Sequence, residues 1–256
     1  MRSSLVWQVI WPWLFYEILL EVLSFLFAGA IGDMGVLLLS MTVASAVLYP
    51  VYFSRERREE AQKKSNCDWF RSMFWCVTWT AVSACLCFNL LLFLTGIGSR
   101  SGAYAETAGV LFSLPWRMQL LVMGLAAPLC EEVIFRGLVY RCLKREKGSA
   151  VAAVVSALLF ALFHGNLLQG IYAGGLGLLL SLACECGFGA ALWFHSCINV
   201  SAIGFNFLLD AGMPLILSRG LCFLLLAVSG IGTALGVFGM RKFIRERDTK
   251  KEKPEI

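Results

Sequence analysis

The sequence predicts an all-α, polytopic membrane protein of about eight transmembrane helices, and three observations carry that reading. Hydrophobic residues make up 59% of the 256 positions and charged residues 15%, with a mean hydropathy of +0.74, far more apolar than a soluble domain. The apolar residues gather into runs mostly close to the ~20 residues that cross a ~30 Å bilayer core as a helix. Lys and Arg, by contrast, concentrate in a few short connections. No internal repeat, low-complexity tract or linker divides the chain, so 1–256 reads as one membrane domain.

The first span, 5–28, opens with Trp7, Trp11 and Trp13, a residue type that favours the membrane interface. Ala28-Gly29-Ala30 imitates a signal-peptidase site, but the apolar run is long for a signal core and carries Glu17 and Glu21, so a retained helix is expected. Those glutamates are four apart and share a face, which is expected to turn inward toward Arg71 or Arg219. The second span, 34–53, leads into the charge run 55–60 followed by Lys63 and Lys64, which reads as a solvated loop. A third span, 69–97, is broken by Gly98-Ser99-Arg100-Ser101-Gly102, and a weakly polar segment leads to Pro115. The fourth, 118–139, ends among Arg141, Lys144, Arg145 and Lys147. Spans at 149–164, 170–184, 187–209 and 214–240 follow, then a basic tail, 241–256. Gly170 with Gly174, and Gly232 with Gly236, have the spacing that lets helices approach closely. Of ten cysteines, Cys76, Cys85, Cys87, Cys130, Cys142, Cys197 and Cys222 fall inside apolar runs, where they serve as small hydrophobes. No pair of CxxC motifs indicates a zinc ribbon.

Eight spans predict an orientation. The loop between spans two and three holds five Lys and Arg, the loop between four and five holds four, and the tail holds seven. By the positive-inside rule these loops and both termini belong to the cytoplasm. The net charge of +5 therefore speaks to orientation in a membrane, with a bacterial plasma membrane expected, and not to nucleic acid.

The chemistry-bearing residues stand where lipid is expected. Glu131, Glu132 and Arg136 interrupt span four, and an ionisable residue at mid-membrane costs about 2.5–3.5 kcal/mol even on lenient scales, so it needs partners or a function. The only two histidines, His164 and His195, also lie in apolar segments. If spans four and five turn near Lys147, Glu131 is sixteen residues before the turn and His164 seventeen after it. Both then lie roughly 20–25 Å from the cytoplasmic end. His195, and Asn199 one turn deeper, fall at about 12–20 Å. The site is thus expected in the core of helices 4, 5 and 7. A histidine on a helix is ordinarily a packing residue, and Glu and Arg four apart are ordinarily a salt bridge. That ordinary role is the expectation for Glu132 and Arg136. Glu131 and both histidines call for more, because lipid penalises each and the chain places its whole histidine complement at matching depth.

Glu131-Glu132-x-x-x-Arg136, Phe160-x-x-x-His164 and His195-x-x-x-Asn199, in that order on separate apolar helices, resemble the three motifs of the CPBP family, intramembrane proteases related to type II CAAX prenyl endopeptidases and to bacteriocin-processing and self-immunity proteins. The resemblance covers about 114–208. It implies hydrolysis of a peptide bond in a membrane-embedded peptide or protein, with Glu131 taking a proton from water, His164 positioning that water, and His195 and Asn199 donating to the developing oxyanion. A metal-free glutamate site is favoured. If the protein is metal-dependent, Glu131, His164 and His195 form the His2Glu set that catalytic zinc uses, although no HExxH helix is present and Asn199 suits an oxyanion better than zinc. Cys130 and Ser196 adjoin these residues but face elsewhere. A catalytically silent scaffold or immunity protein, and a proton-relaying transporter, are the competing readings; the paired repeats expected of a transporter are absent from the sequence.

Overall fold

The computed structural model describes residues 4–60, 68–212 and 218–252, and the regular structure among them is helical. In chain order the helices are α1 (Leu5–Glu60), α2 (Asp68–Thr95), α3 (Ile97–Arg100), α4 (Gly102–Ser113), α5 (Trp116–Lys147), α6 (Ser149–Phe163), α7 (Leu167–Cys186), α8 (Phe188–Asp210) and α9 (Arg219–Glu252). Six of them, α1, α2, α5, α7, α8 and α9, are long and apolar enough to cross a membrane. Large apolar side chains are turned outward, Phe25 at 90% exposure and Leu167 at 82%, as lipid-facing surfaces require and aqueous ones penalise. The chain is a multi-pass helical membrane protein.

Two places account for six long helices where eight spans were expected. Residues 149–164 form α6, whose 15 residues reach about 22 Å, short of the bilayer core. Residues 5–28 and 34–53 run together as α1, which leaves helical geometry at Gly32 (φ 69°, ψ 168°), a conformation that glycine adopts at little cost. Near one end of α1, Gln8 Oε1 accepts from the Cys142 thiol at 3.4 Å; near the other, the Tyr52 ring lies under the Arg141 guanidinium at 5.0 Å. A straight helix would hold residues 8 and 52 about 66 Å apart, yet both touch the same turn of α5. α1 is therefore folded back on itself at Gly32.

Small residues set the other close packings. A Cβ on Gly170 would meet the Ala161 carbonyl at 3.0 Å, and one on Gly177 would meet Ala157 at 3.0 Å, so α6 and α7 touch nearly backbone to backbone. α9 lies along α2 in the same way, with Gly232 against Ser83 and Gly236 against Thr80. The C-terminal ends of α5, α7 and α9 meet at Glu185, whose carboxylate accepts from Lys144 Nζ at 2.6 Å and from the Tyr140 hydroxyl at 2.5 Å. Arg247 Nη1 donates to the Glu185 backbone carbonyl at 2.5 Å.

Several local expectations are corrected. The charge run 55–60 continues the backbone of α1 instead of forming a loop, while Lys63 and Lys64 lie outside the described residues. The weakly polar stretch before Pro115, to which the sequence assigned no element, forms α3 and α4. The tail continues α9 to Glu252; 253–256 lie outside the described residues. Glu17 and Glu21 make no ion pair with Arg219, and the Arg71 side chain lies outside the description; Glu17 instead accepts from Trp13 Nε1 at 2.9 Å. The nine described cysteines are free thiols, buried or half-buried.

Candidate active site

The backbone of α5 prepares the site. It widens to i→i+5 bonding over Leu120–Ala126 and again over Val133–Tyr140, leaving the six α-helical residues Ala127–Glu132 between. Such wide turns are uncommon and often sit at functional sites. The first shows a specific cause. Ala127 N–H bonds to the Val122 carbonyl, five residues back, so the next donor in that register is position 128, a proline with no N–H. The Met123 carbonyl left over accepts from Asn199 Nδ2 at 2.8 Å, which ties α8 to α5.

Glu131 and Glu132 end the short α-helical stretch at 7% and 0% exposure. As helix neighbours they point about 100° apart. Glu131 lies on the wall of a cavity of about 400 Å³, and Glu132 does not. Arg136, wholly buried, donates from Nη1 to Glu132 Oε1 at 3.0 Å and from Nη2 to the Gly177 carbonyl at 3.2 Å. The same Glu132 oxygen accepts from His195 Nδ1 at 2.8 Å. That bond places a proton on Nδ1 and turns Nε2 toward Glu131, whose Oε2 stands 3.7 Å away, beyond direct hydrogen-bond length. Glu132 Oε2 and Arg136 Nε have no hydrogen-bond partner among the described residues.

His164 follows the last residue of α6, and its Nδ1 donates to the Phe160 carbonyl at 2.7 Å, leaving Nε2 as the free ring atom. The Phe160 ring organises the centre. Its centroid is 4.7 Å from the His164 ring and 5.8 Å from the His195 ring, both nearly perpendicular, and the Arg136 guanidinium lies 4.4 Å over it. His164, His195 and Asn199 line the same cavity as Glu131. Thus α5, the end of α6, and α8 bring together the four residues expected to act, while Glu132 and Arg136 stand off the cavity wall. Cys130 and Ser196 are also off that wall.

Three features escaped the sequence. The first is the bond from His195 to Glu132, since helix order gives depth but not facing. The second is Gly177, where a Cβ would stand 3.3 Å from Arg136 Nη2 as well as against Ala157; its place three residues beyond Gly174 was the available signal. The third is the part played by other helices in the wall, with Tyr16 and Glu17 from α1, Asn89 from α2, Tyr104 from α4 and Gln169 from α7.

Both imidazoles present a free Nε2 with Nδ1 held by an oxygen, the arrangement common in zinc-binding histidines. The donors do not converge, however: among the described residues no three His, Cys, Asp or Glu side chains are placed to hold one ion. The hydrolysis proposed for this site runs through no metal.

Residues 113–201, which include Glu131, Glu132, Arg136, His164, His195 and Asn199, match the family model described as type II CAAX prenyl endopeptidase Rce1-like. No curated protein and no solved structure matches the chain. Over residues 113–201 the chain carries a type II CAAX prenyl endopeptidase Rce1-like domain.

Proposed function

We propose that this protein is an intramembrane endopeptidase that cleaves a membrane-associated peptide with water activated by Glu131. The observation that carries the reading is the buried chain Glu131–His195–Glu132–Arg136, which presents one carboxylate and one imidazole edge to the cavity. With His195 doubly protonated, the four formal charges cancel, which makes their burial tolerable. Glu131 takes a proton from water as the oxygen attacks the peptide carbonyl. The carboxyl is then neutral, and the His195 imidazolium, having lost that counter-charge, faces the new oxyanion through Nε2–H. Asn199 spends one amide hydrogen on Met123 and offers the second to the same oxyanion. His164 Nε2 accepts a hydrogen from the water and orients it. Glu131 then passes its proton to the departing amine, which balances the hydrolysis.

In the bilayer, the two halves of α1 count as two passes, and α6 with α7 as a hairpin whose turn, 164–166, lies inside the membrane beside the cavity. That gives six full passes and one re-entrant hairpin, with both termini on the basic, cytoplasmic side. Substrates of the CAAX-prenyl, leader-peptide or membrane-tail kind fit such a cavity.

Comparing membrane peptides from cells that express wild type and Glu131→Gln tests the proposal. Peptides that accumulate in the variant at unchanged protein abundance support it. No difference supports a silent scaffold. Chelation of the purified protein should leave cleavage intact; stoichiometric zinc whose removal abolishes turnover would replace the metal-free mechanism.

A further inference from the structure

The cavity wall holds a second carboxylate that the proposed hydrolysis does not use. Glu17 on α1 lines the cavity and accepts from Trp13 Nε1 at 2.9 Å, one turn before it. Neither Lys nor Arg lines the cavity, and no cation pairs with Glu17 among the described residues. An ionised side chain among apolar helices is costly without a partner. Glu131, by comparison, has His195. The wall also carries aromatic rings: Tyr16, next to Glu17 in the chain, and Phe88, Tyr104, Phe112, Phe163 and Tyr172 elsewhere on the lining. Ring faces attract cations, and a carboxylate beside them adds a directional acceptor. The indole N–H fixes Oε1 of Glu17 and leaves Oε2 for a ligand.

We infer that Glu17 determines substrate specificity by receiving a basic side chain of the peptide, Lys or Arg, in the same cavity that holds the scissile bond. This rests on the protease reading for what the peptide is doing there, but not for its binding. The ligand supplies the positive charge that the wall lacks. A peptide with an acidic residue at that position meets Glu17 and Glu131 together and is rejected.

The test measures binding, so it does not depend on turnover. The full chain in phosphatidylcholine nanodiscs is titrated with fluorescent apolar decapeptides whose central amide is N-methylated against hydrolysis. One residue is varied through Lys, acetyl-Lys, norleucine and Glu, and its place is scanned along the peptide. Wild type is expected to bind Lys about tenfold more tightly than acetyl-Lys or norleucine at one place, with Glu weakest. Glu17→Gln keeps the size and the Trp13 hydrogen bond and should erase the difference. Equal affinity for Lys and acetyl-Lys at every place in wild type overturns the inference without any variant. A preference that survives in Glu17→Gln assigns it to another residue and overturns it equally. If wild type favours Lys but cleaves none of the unmethylated peptides, the protease reading fails and the cation subsite stands.

Discussion

His195 illustrates how much at this site is decided by single atoms. Its Nδ1 proton is committed to Glu132, so the ring cannot swing without breaking a 2.8 Å bond in a dry setting. Removing the ring also strands Glu132 with Arg136 alone. His195→Ala and His164→Ala should each abolish peptide cleavage with helical content retained in circular dichroism; near-normal turnover in either removes that histidine from the mechanism. Glu132→Gln and Arg136→Gln should act differently. Glu132→Gln leaves Arg136 charged without its carboxylate at 0% exposure, a loss of about 3–5 kcal/mol, and Arg136→Gln leaves Glu132 with His195 as its one remaining partner, so folded yield falls first in both, and more in Glu132→Gln. If Arg136→Gln is fully stable yet inactive, the pair belongs to the chemistry and the division of roles fails. The Glu132–Arg136 pair was legible in the sequence because i,i+4 spacing fixes neighbours on one helix. The second partner of Glu132 was not, because it comes from a helix 63 positions away whose rotation the sequence leaves open.

Helices were legible as apolar runs, and their bonding register was not. Each wide turn of α5 gives a carbonyl to another helix: Asn199 donates to the Met123 carbonyl, and Ser156 to the Phe135 carbonyl at 3.0 Å. Pro128 stands in the sequence three residues before Glu131, but its consequence, a spare carbonyl that anchors Asn199, needed the fold. Pro128→Ala restores an N–H that competes for that carbonyl. Thermal stability should hold or rise, since proline inside a helix costs about 3 kcal/mol, while turnover falls on the order of 10- to 100-fold as Asn199 loses its anchor. A variant as active as wild type would show that the anchor does not matter. Gly177→Ala makes the complementary case. The methyl group meets Ala157 and crowds Arg136, so α6 and α7 must separate. A loss of about 1–3 kcal/mol is expected in a denaturation midpoint, with Gly204→Ala, where a Cβ meets nothing within 4 Å, as the benign control.

The whole molecule has two unlike ends, and its orientation in the membrane is the proposal on which access to the site depends. At one end Lys144, Glu185 and Arg247 join α5, α7 and α9, with Arg145, Lys147 and Arg241 nearby in sequence. At the other end α4, none of whose residues is buried, supplies Tyr104, Thr107 and Phe112 to the cavity wall. Since α5 starts beside α4 and finishes in the basic cluster, the cavity lies toward the end away from that cluster. The positive-inside rule puts the cluster in the cytoplasm, so water and substrate should enter from the opposite leaflet, past α4. Single cysteines read with a membrane-impermeant thiol reagent applied to intact cells provide the check. Glycines 148 and 165 flank α6, but their φ values of 83° and 71° would strain a cysteine. Exposed helical positions serve better, Glu106 on α4 and Glu146 at the end of α5. Glu106→Cys should label from outside above the wild-type background, and Glu146→Cys only after the membrane is permeabilised. The reverse pattern would turn the molecule over and bring the water attacked by Glu131 from the cytoplasm, leaving the site chemistry intact and the charge argument refuted.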